Sequence, residues 1–137
     1  MYYEIKTTRT GQDDNGKLKR FAETWIQDAE SIIEATHKAE DNISREYPEH
    51  DMVSVKKTAY SNIVDSEDDG KYYRVKFNTL TVNDITGKEK KVPDYILIKA
   101  NDIDNAKSKY EAYIKDWVVD VELESLSETK ILEYFLT

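Results

Sequence analysis

The sequence predicts an α+β protein made by tandem duplication of a β-β-α-β unit, with mainly antiparallel sheet, two helices and a pseudo-two-fold between the copies. Three observations carry this. Tyr72-Tyr73-Arg74-Val75-Lys76 echoes Tyr2-Tyr3-Glu4-Ile5-Lys6 at an offset of 70 (72 − 2). From Gly87-Lys88 the echo of Gly16-Lys17 continues at 71 (87 − 16), pairing Ala29 with Ala100, Ala35 with Ala106 and Ile43 with Ile114. The matches fall on turn, core and helix positions together. One unit is too small to bury both a sheet face and a helix stripe alone. The copies, about 1–66 and 71–137, are therefore expected to pack as a single domain, 1–137.

Residues 2–10 alternate and are rich in β-branched and aromatic types, so they read as a strand with Tyr3, Ile5 and Thr7 on one face. The run Gly11 to Gly16 is turn chemistry, and Asn15-Gly16 supplies positive φ. Lys17 to Gln27 returns as a second strand and closes a hairpin. Ser31, with Glu34 three residues on, has the form of a capping box. Ile32, Ala35, Ala39 and Ile43 then keep helical spacing until Tyr47-Pro48 ends the helix. Met52 to Val64 alternates again but is long for one strand, so a bulge or bend is expected near Lys57 to Ser61.

After the acidic junction Asp65 to Gly70 the pattern starts over. Lys71 to Val82 and Lys88 to Ala100 form the second hairpin, and Pro93 marks its return strand as an edge or a bulge. Asp102 falls where Ser31 fell, and both are good N-caps. Ile103, Ala106, Tyr110, Ile114 and Trp117 make the second helical stripe, and Trp117 to Phe135 supplies the last segment.

Composition fits a soluble, highly charged globule. The chain has 137 residues, 39% hydrophobic and 35% charged, and fifteen aromatics (ten Tyr, three Phe, two Trp) that argue against disorder. A net charge of −8 discourages non-specific nucleic-acid binding without excluding a local basic face. No cysteine means no disulfide or thiolate chemistry. With no signal-peptide pattern and no run long enough to span a bilayer, the expectation is a cytoplasmic protein without a membrane partner.

Titratable groups do not assemble into a recognisable catalytic motif. His37 and His50 have no counterparts in the second copy, and no His-x-x-x-His spacing points to zinc. Asp65, Glu67, Asp68 and Asp69 resemble a cation loop in charge only. With four glycines in all, no phosphate loop or nucleophile elbow is present. The expectation is therefore no catalysis, no cofactor and no metal.

Binding has more behind it. The strands mix aromatic and basic residues: Tyr2, Lys6, Lys56 and Tyr60 in one copy, Tyr72, Arg74, Lys76, Lys88 and Lys90 in the other. Such a face suits a small anionic ligand or, by base stacking and phosphate neutralisation, single-stranded nucleic acid. The ordinary reading is a solvated strand surface. The function expected is that of a binding or accessory protein for a protein or small anionic ligand, with single-stranded nucleic-acid binding as the alternative.

The motifs Tyr2-Tyr3-Glu4-Ile5-Lys6, Lys57-Thr58-Ala59-Tyr60-Ser61-Asn62-Ile63 and Tyr72-Tyr73-Arg74-Val75-Lys76, with Gly87-Lys88-Glu89-Lys90-Lys91, carry a resemblance. The chain is similar over nearly its whole length to a domain-of-unknown-function family of short proteins from Bacteroides-group gut anaerobes and their phages. Asn62 departs from that pattern, which has an acidic residue there, and this argues against a carboxylate role. The resemblance implies a phage or mobile-element setting, in a bacterial host cytoplasm, and brings no catalytic residues.

Overall fold

The computed structural model describes residues 1–67 and 69–137. In chain order the elements are β1 (Tyr2–Gln12), β2 (Leu18–Asp28), α1 (Ile32–Glu46), β3 (Asp51–Lys57), β4 (Tyr60–Val64), β5 (Lys71–Val82), β6 (Glu89–Ala100), α2 (Ile103–Ile114), β7 (Asp120–Glu128) and β8 (Ile131–Phe135). The strands form two four-stranded sheets, ordered β3-β1-β2-β8 and β4-β6-β5-β7. The α+β duplication holds, and mostly antiparallel pairing with it.

The repeat reaches into local chemistry. Gly16 and Gly87 close the two hairpins at φ +79° and +67°, the left-handed region that only glycine enters cheaply. Ser31 Oγ accepts from the Glu34 N–H at 3.1 Å, and Asp102 accepts from the Asn105 N–H at 2.7 Å. Glu34 and Asn105 each reach back to a backbone N–H four residues earlier, on Glu30 and Asn101. Bulges fall at matching places, between Lys6 and Thr7 where β1 meets β3, and between Lys76 and Phe77 where β5 meets β7.

One expectation is corrected. The long segment Met52 to Val64 is two strands rather than one bulged strand, and the two lie in different sheets. At the break, the Thr58 N–H and Oγ1 both donate to the Tyr2 carbonyl, at 2.9 and 2.8 Å. Thr129 does the same to the Tyr72 carbonyl, at 2.9 and 2.7 Å. The cause is reach. The place beside β2 lies three strand spacings from β3, about 14 Å, and its strand runs in the same direction as β3. Two linking residues span at most about 11 Å and cannot turn the chain back twice. So β4 pairs in parallel with β6, and β8 arrives from the second repeat to pair in parallel with β2.

Two compact units result, and they cut across the repeats. The first is Met1–Thr58 with Lys130–Thr137; the second is Ala59–Thr129. In the first, α1 lays Ala35, Ala39 and Ile43 on Tyr3, Ile5 and Trp25, with Phe135 of the exchanged strand stacked on Trp25 at 5.6 Å. In the second, α2 lays Ala106 and Tyr110 on Tyr73, Val75, Phe77, Ile96 and Ile98. Ile32 and Ile103, expected in the stripes, are about half exposed.

Pro93 needs a second correction. Its strand, β6, is central, flanked by β4 and β5. Only Tyr95 to Ile98 of β6 pair with β4, so Pro93 lies beyond β4's reach and its missing N–H leaves no ladder bond unmade.

Candidate functional site

The residues expected to bind are divided between the units. In the first, Tyr2 is half-buried with its ring edge-on to Tyr134 at 5.9 Å, Lys6 is exposed 3.9 Å from Glu4, and Lys56 is exposed opposite Glu4. In the second, Tyr72 is buried and its hydroxyl donates to Asp65 at 3.2 Å, so its ring offers no stacking face. Tyr60 is half-buried opposite Tyr95. Arg74, Lys88 and Lys90 are exposed, without an ion pair among the described residues. Asp68 of the acidic junction lies outside the described residues.

Carboxylates of β7 neutralise three lysines of the second unit, Lys76 of the expected set among them. Glu124 Oε1 takes Lys76 Nζ at 3.1 Å and its Oε2 takes Asn78 Nδ2 at 3.0 Å. The Asn78 and Lys76 hydrogen bonds hold the Glu124 carboxyl below the ordinary carboxylate range, and the same bond raises the Lys76 ammonium. Lys71 pairs with Glu128 at 2.9 Å and Lys91 with Glu122 at 3.1 Å. These β7 partners leave no local signal in the sequence, because cross-strand neighbours are set by register.

The histidines take structural places. His37 is exposed on α1. The His50 side chain is buried; its Nδ1 lies 2.8 Å from the Tyr47 carbonyl and its Nε2 2.9 Å from Glu40 Oε2, which clasps the loop after α1 to the helix. Beside it, a shallow cleft of about 400 Å³ is lined by Thr10, Arg20, Pro48, Glu49, His50 and Asp51. Its one cation, Arg20, is already engaged by Thr8, Thr10 and Asp51. Among the described residues no cluster of His, Asp or Glu is arranged to hold a metal.

The most distinctive chemistry sits at the helix-side corner of each unit, where the hairpin emerges from under the helix's C-terminal end. In the first unit Arg9 fills this corner. Its guanidinium lies 3.9 Å from the Tyr47 ring centroid and 4.7 Å from that of Phe21, and its Nε donates to Glu23 at 2.6 Å. Both members of the ion pair are mostly buried, and the Glu23 bond raises the arginine's pKa further. In the second unit the same corner is open. Trp117 packs on Phe77 and Tyr113 at 5.7 and 5.5 Å yet stays 36% exposed. Val118 is fully exposed, and Val119 and Leu123 are about two-fifths exposed. Asp116 and Asp120 flank this stretch. Trp117, expected on the helical stripe, lies just past the helix, its N–H donating to the Ile114 carbonyl at 3.0 Å.

The architecture defines a class: a duplicated α+β protein whose repeats exchange their last strands. The model of the domain of unknown function DUF4494 matches residues 1–137, and the chain belongs to that family. No curated protein and no solved structure matches it. Among the described residues no helix is long and apolar enough to cross a membrane.

Proposed function

We propose that this is a non-catalytic binding protein whose partner is another protein, met at the open corner of the second unit. The observation that carries the reading is the exposed apolar run Trp117-Val118-Val119 with Leu123 beside it. Contiguous exposed apolar surface with a polar rim is characteristic of protein contacts, and tryptophan is a frequent anchor. A small anionic ligand is less well served, because Lys76 of the basic set is held by Glu124 and the nearby Lys71 and Lys91 are paired with Glu128 and Glu122. Single-stranded nucleic acid is disfavoured on the same ground and by burial of the Tyr72 ring. A phage or mobile-element setting belongs to this proposal and rests on motif resemblance alone.

A photo-crosslinking amino acid at position 118 tests the reading in cells that make the protein. The expected result is one discrete protein adduct, absent when the same probe replaces Asp14 at the other unit's hairpin turn. Loss of the adduct at 118, or equal adducts at both positions, refutes it. An oligonucleotide gel shift at low salt should show no retardation.

A further inference from the structure

The two units are copies, so hairpin positions in one have counterparts in the other, and the corner is one place where they differ. In the first unit Arg9 lies opposite Phe21 and Thr7 lies opposite Glu23. The matching pairs in the second are Thr79 opposite Val92 and Phe77 opposite Asp94. Arg9 is thus replaced by Thr79 (79 − 70 = 9) and Glu23 by Asp94 (94 − 71 = 23). Tyr47, just after α1, is answered by Trp117, just after α2; each donates its backbone N–H to the helix's last isoleucine, Ile43 or Ile114. The second corner therefore keeps an aromatic plate and a carboxylate but has lost the cation that satisfies both in the first.

What remains matches what a guanidinium requires. Asp94 Oδ1 accepts only the adjacent Tyr95 N–H, at 2.8 Å, and pairs with no cation among the described residues. Trp117, the best of the aromatic side chains for a cation, keeps part of its surface open beside Phe77. Asp116 and Asp120, which bracket the exposed run, add negative charge without an ion pair among the described residues. An arginine meets such a place bidentately and flat on the ring, whereas lysine offers a point charge.

Resting on the protein-partner reading above, we infer that the corner framed by Thr79, Asp94 and Trp117 is a receptor for an arginine side chain of the partner protein, which occupies the position that Arg9 fills in the first unit. The apolar run Val118-Val119 then meets the residues flanking that arginine.

A capped arginine tripeptide, with the same tripeptide carrying neutral citrulline instead, tests this on the full-length protein. The readout is the indole N–H resonance of Trp117, with that of Trp25, in the first unit, as internal control. The arginine peptide should shift Trp117 and leave Trp25 unmoved, and the citrulline peptide should do neither. Asp94→Asn, which keeps the acceptor for the Tyr95 N–H, should weaken the arginine peptide by about tenfold, the scale of one charge-assisted hydrogen bond. Thr79→Arg should fill the corner from within, moving the Trp117 resonance by itself and abolishing the response. Equal responses to both peptides, no response, or an unchanged affinity in Asp94→Asn overturns the inference. Failure of this inference is separable from failure of the protein-partner reading. A crosslink at position 118 without an arginine response removes the arginine receptor alone, whereas an arginine response without any crosslink removes the protein partner and leaves the receptor standing.

Discussion

Strand exchange makes the stability of the first unit depend on the second, and Phe77→Ala exposes that dependence. Phe77 is fully buried in the second unit, between Tyr110 and Trp117. Removing its ring leaves a cavity and costs about 3–5 kcal/mol, a large share of a typical domain's stability. The first unit is closed by β8, which the chain reaches only after residues 59–129, a segment of 71 residues (129 − 59 + 1). With the second unit folded, that connection is fixed. Unfolded, it becomes a flexible loop whose closure costs about (3/2)RT ln 71, roughly 4 kcal/mol. The chain has one tryptophan in each unit, Trp25 and Trp117, so single-tryptophan variants (Trp117→Phe, Trp25→Phe) report them separately in urea. Phe77→Ala should lower both midpoints, by about 2 M for an m-value of roughly 2 kcal/mol/M. A Trp25 midpoint left at its original value would refute the coupling.

Other consequences follow from individual side chains. The Tyr110 hydroxyl is buried with no hydrogen-bond partner among the described residues, so Tyr110→Phe should raise stability by about 1 kcal/mol in thermal or urea unfolding. Burial foremost, then Glu111, raises the Tyr110 pKa above its unfolded value. Its contribution is therefore complete below about pH 10 and is lost as pH climbs past that point, and Tyr110→Phe should flatten the alkaline decline. Thr7→Val should act oppositely to Tyr110→Phe, since Thr7 Oγ1 accepts the buried Trp25 Nε1–H at 2.9 Å; losing that acceptor costs about 1–3 kcal/mol and perturbs Trp25 emission. At Gly70 an added Cβ would sit 2.7 Å from the Ala100 carbonyl oxygen, so Gly70→Ala should destabilise the second unit by about 1–3 kcal/mol, read through Trp117.

The repeat, hairpins, caps and helical stripes were legible because each rests on local chemistry that appears twice. The interruption at Thr58-Ala59 falls where a bulge or bend was expected, but that it separates two strands was not legible, because extended residue types continue on both sides. Which sheet each half joins is a matter of non-local pairing and of the few ångströms two residues span. The basic residues were legible as composition but not as charge, because Glu122, Glu124 and Glu128 lie 31 to 57 residues away from the lysines they neutralise. The corner left a trace that sequence alone could have shown, the replacement of Arg9 by Thr79 at an offset of 70. Its meaning required knowing that Phe21, Glu23 and Tyr47 surround Arg9.

The exchange of strands between repeats is open to direct measurement because the chain has no cysteine of its own. Tyr60 and Tyr95 are facing partners of β4 and β6, and parallel neighbours sit about 4.8 Å apart, within disulfide reach. Under mild oxidation, Tyr60→Cys/Tyr95→Cys should close an intramolecular disulfide, read by mass on the intact monomer and on its proteolytic fragments. Thr24→Cys/Tyr60→Cys, the pair that a strand kept within its own repeat would bring together, should stay reduced. Closure of the second pair in place of the first would contradict the exchange.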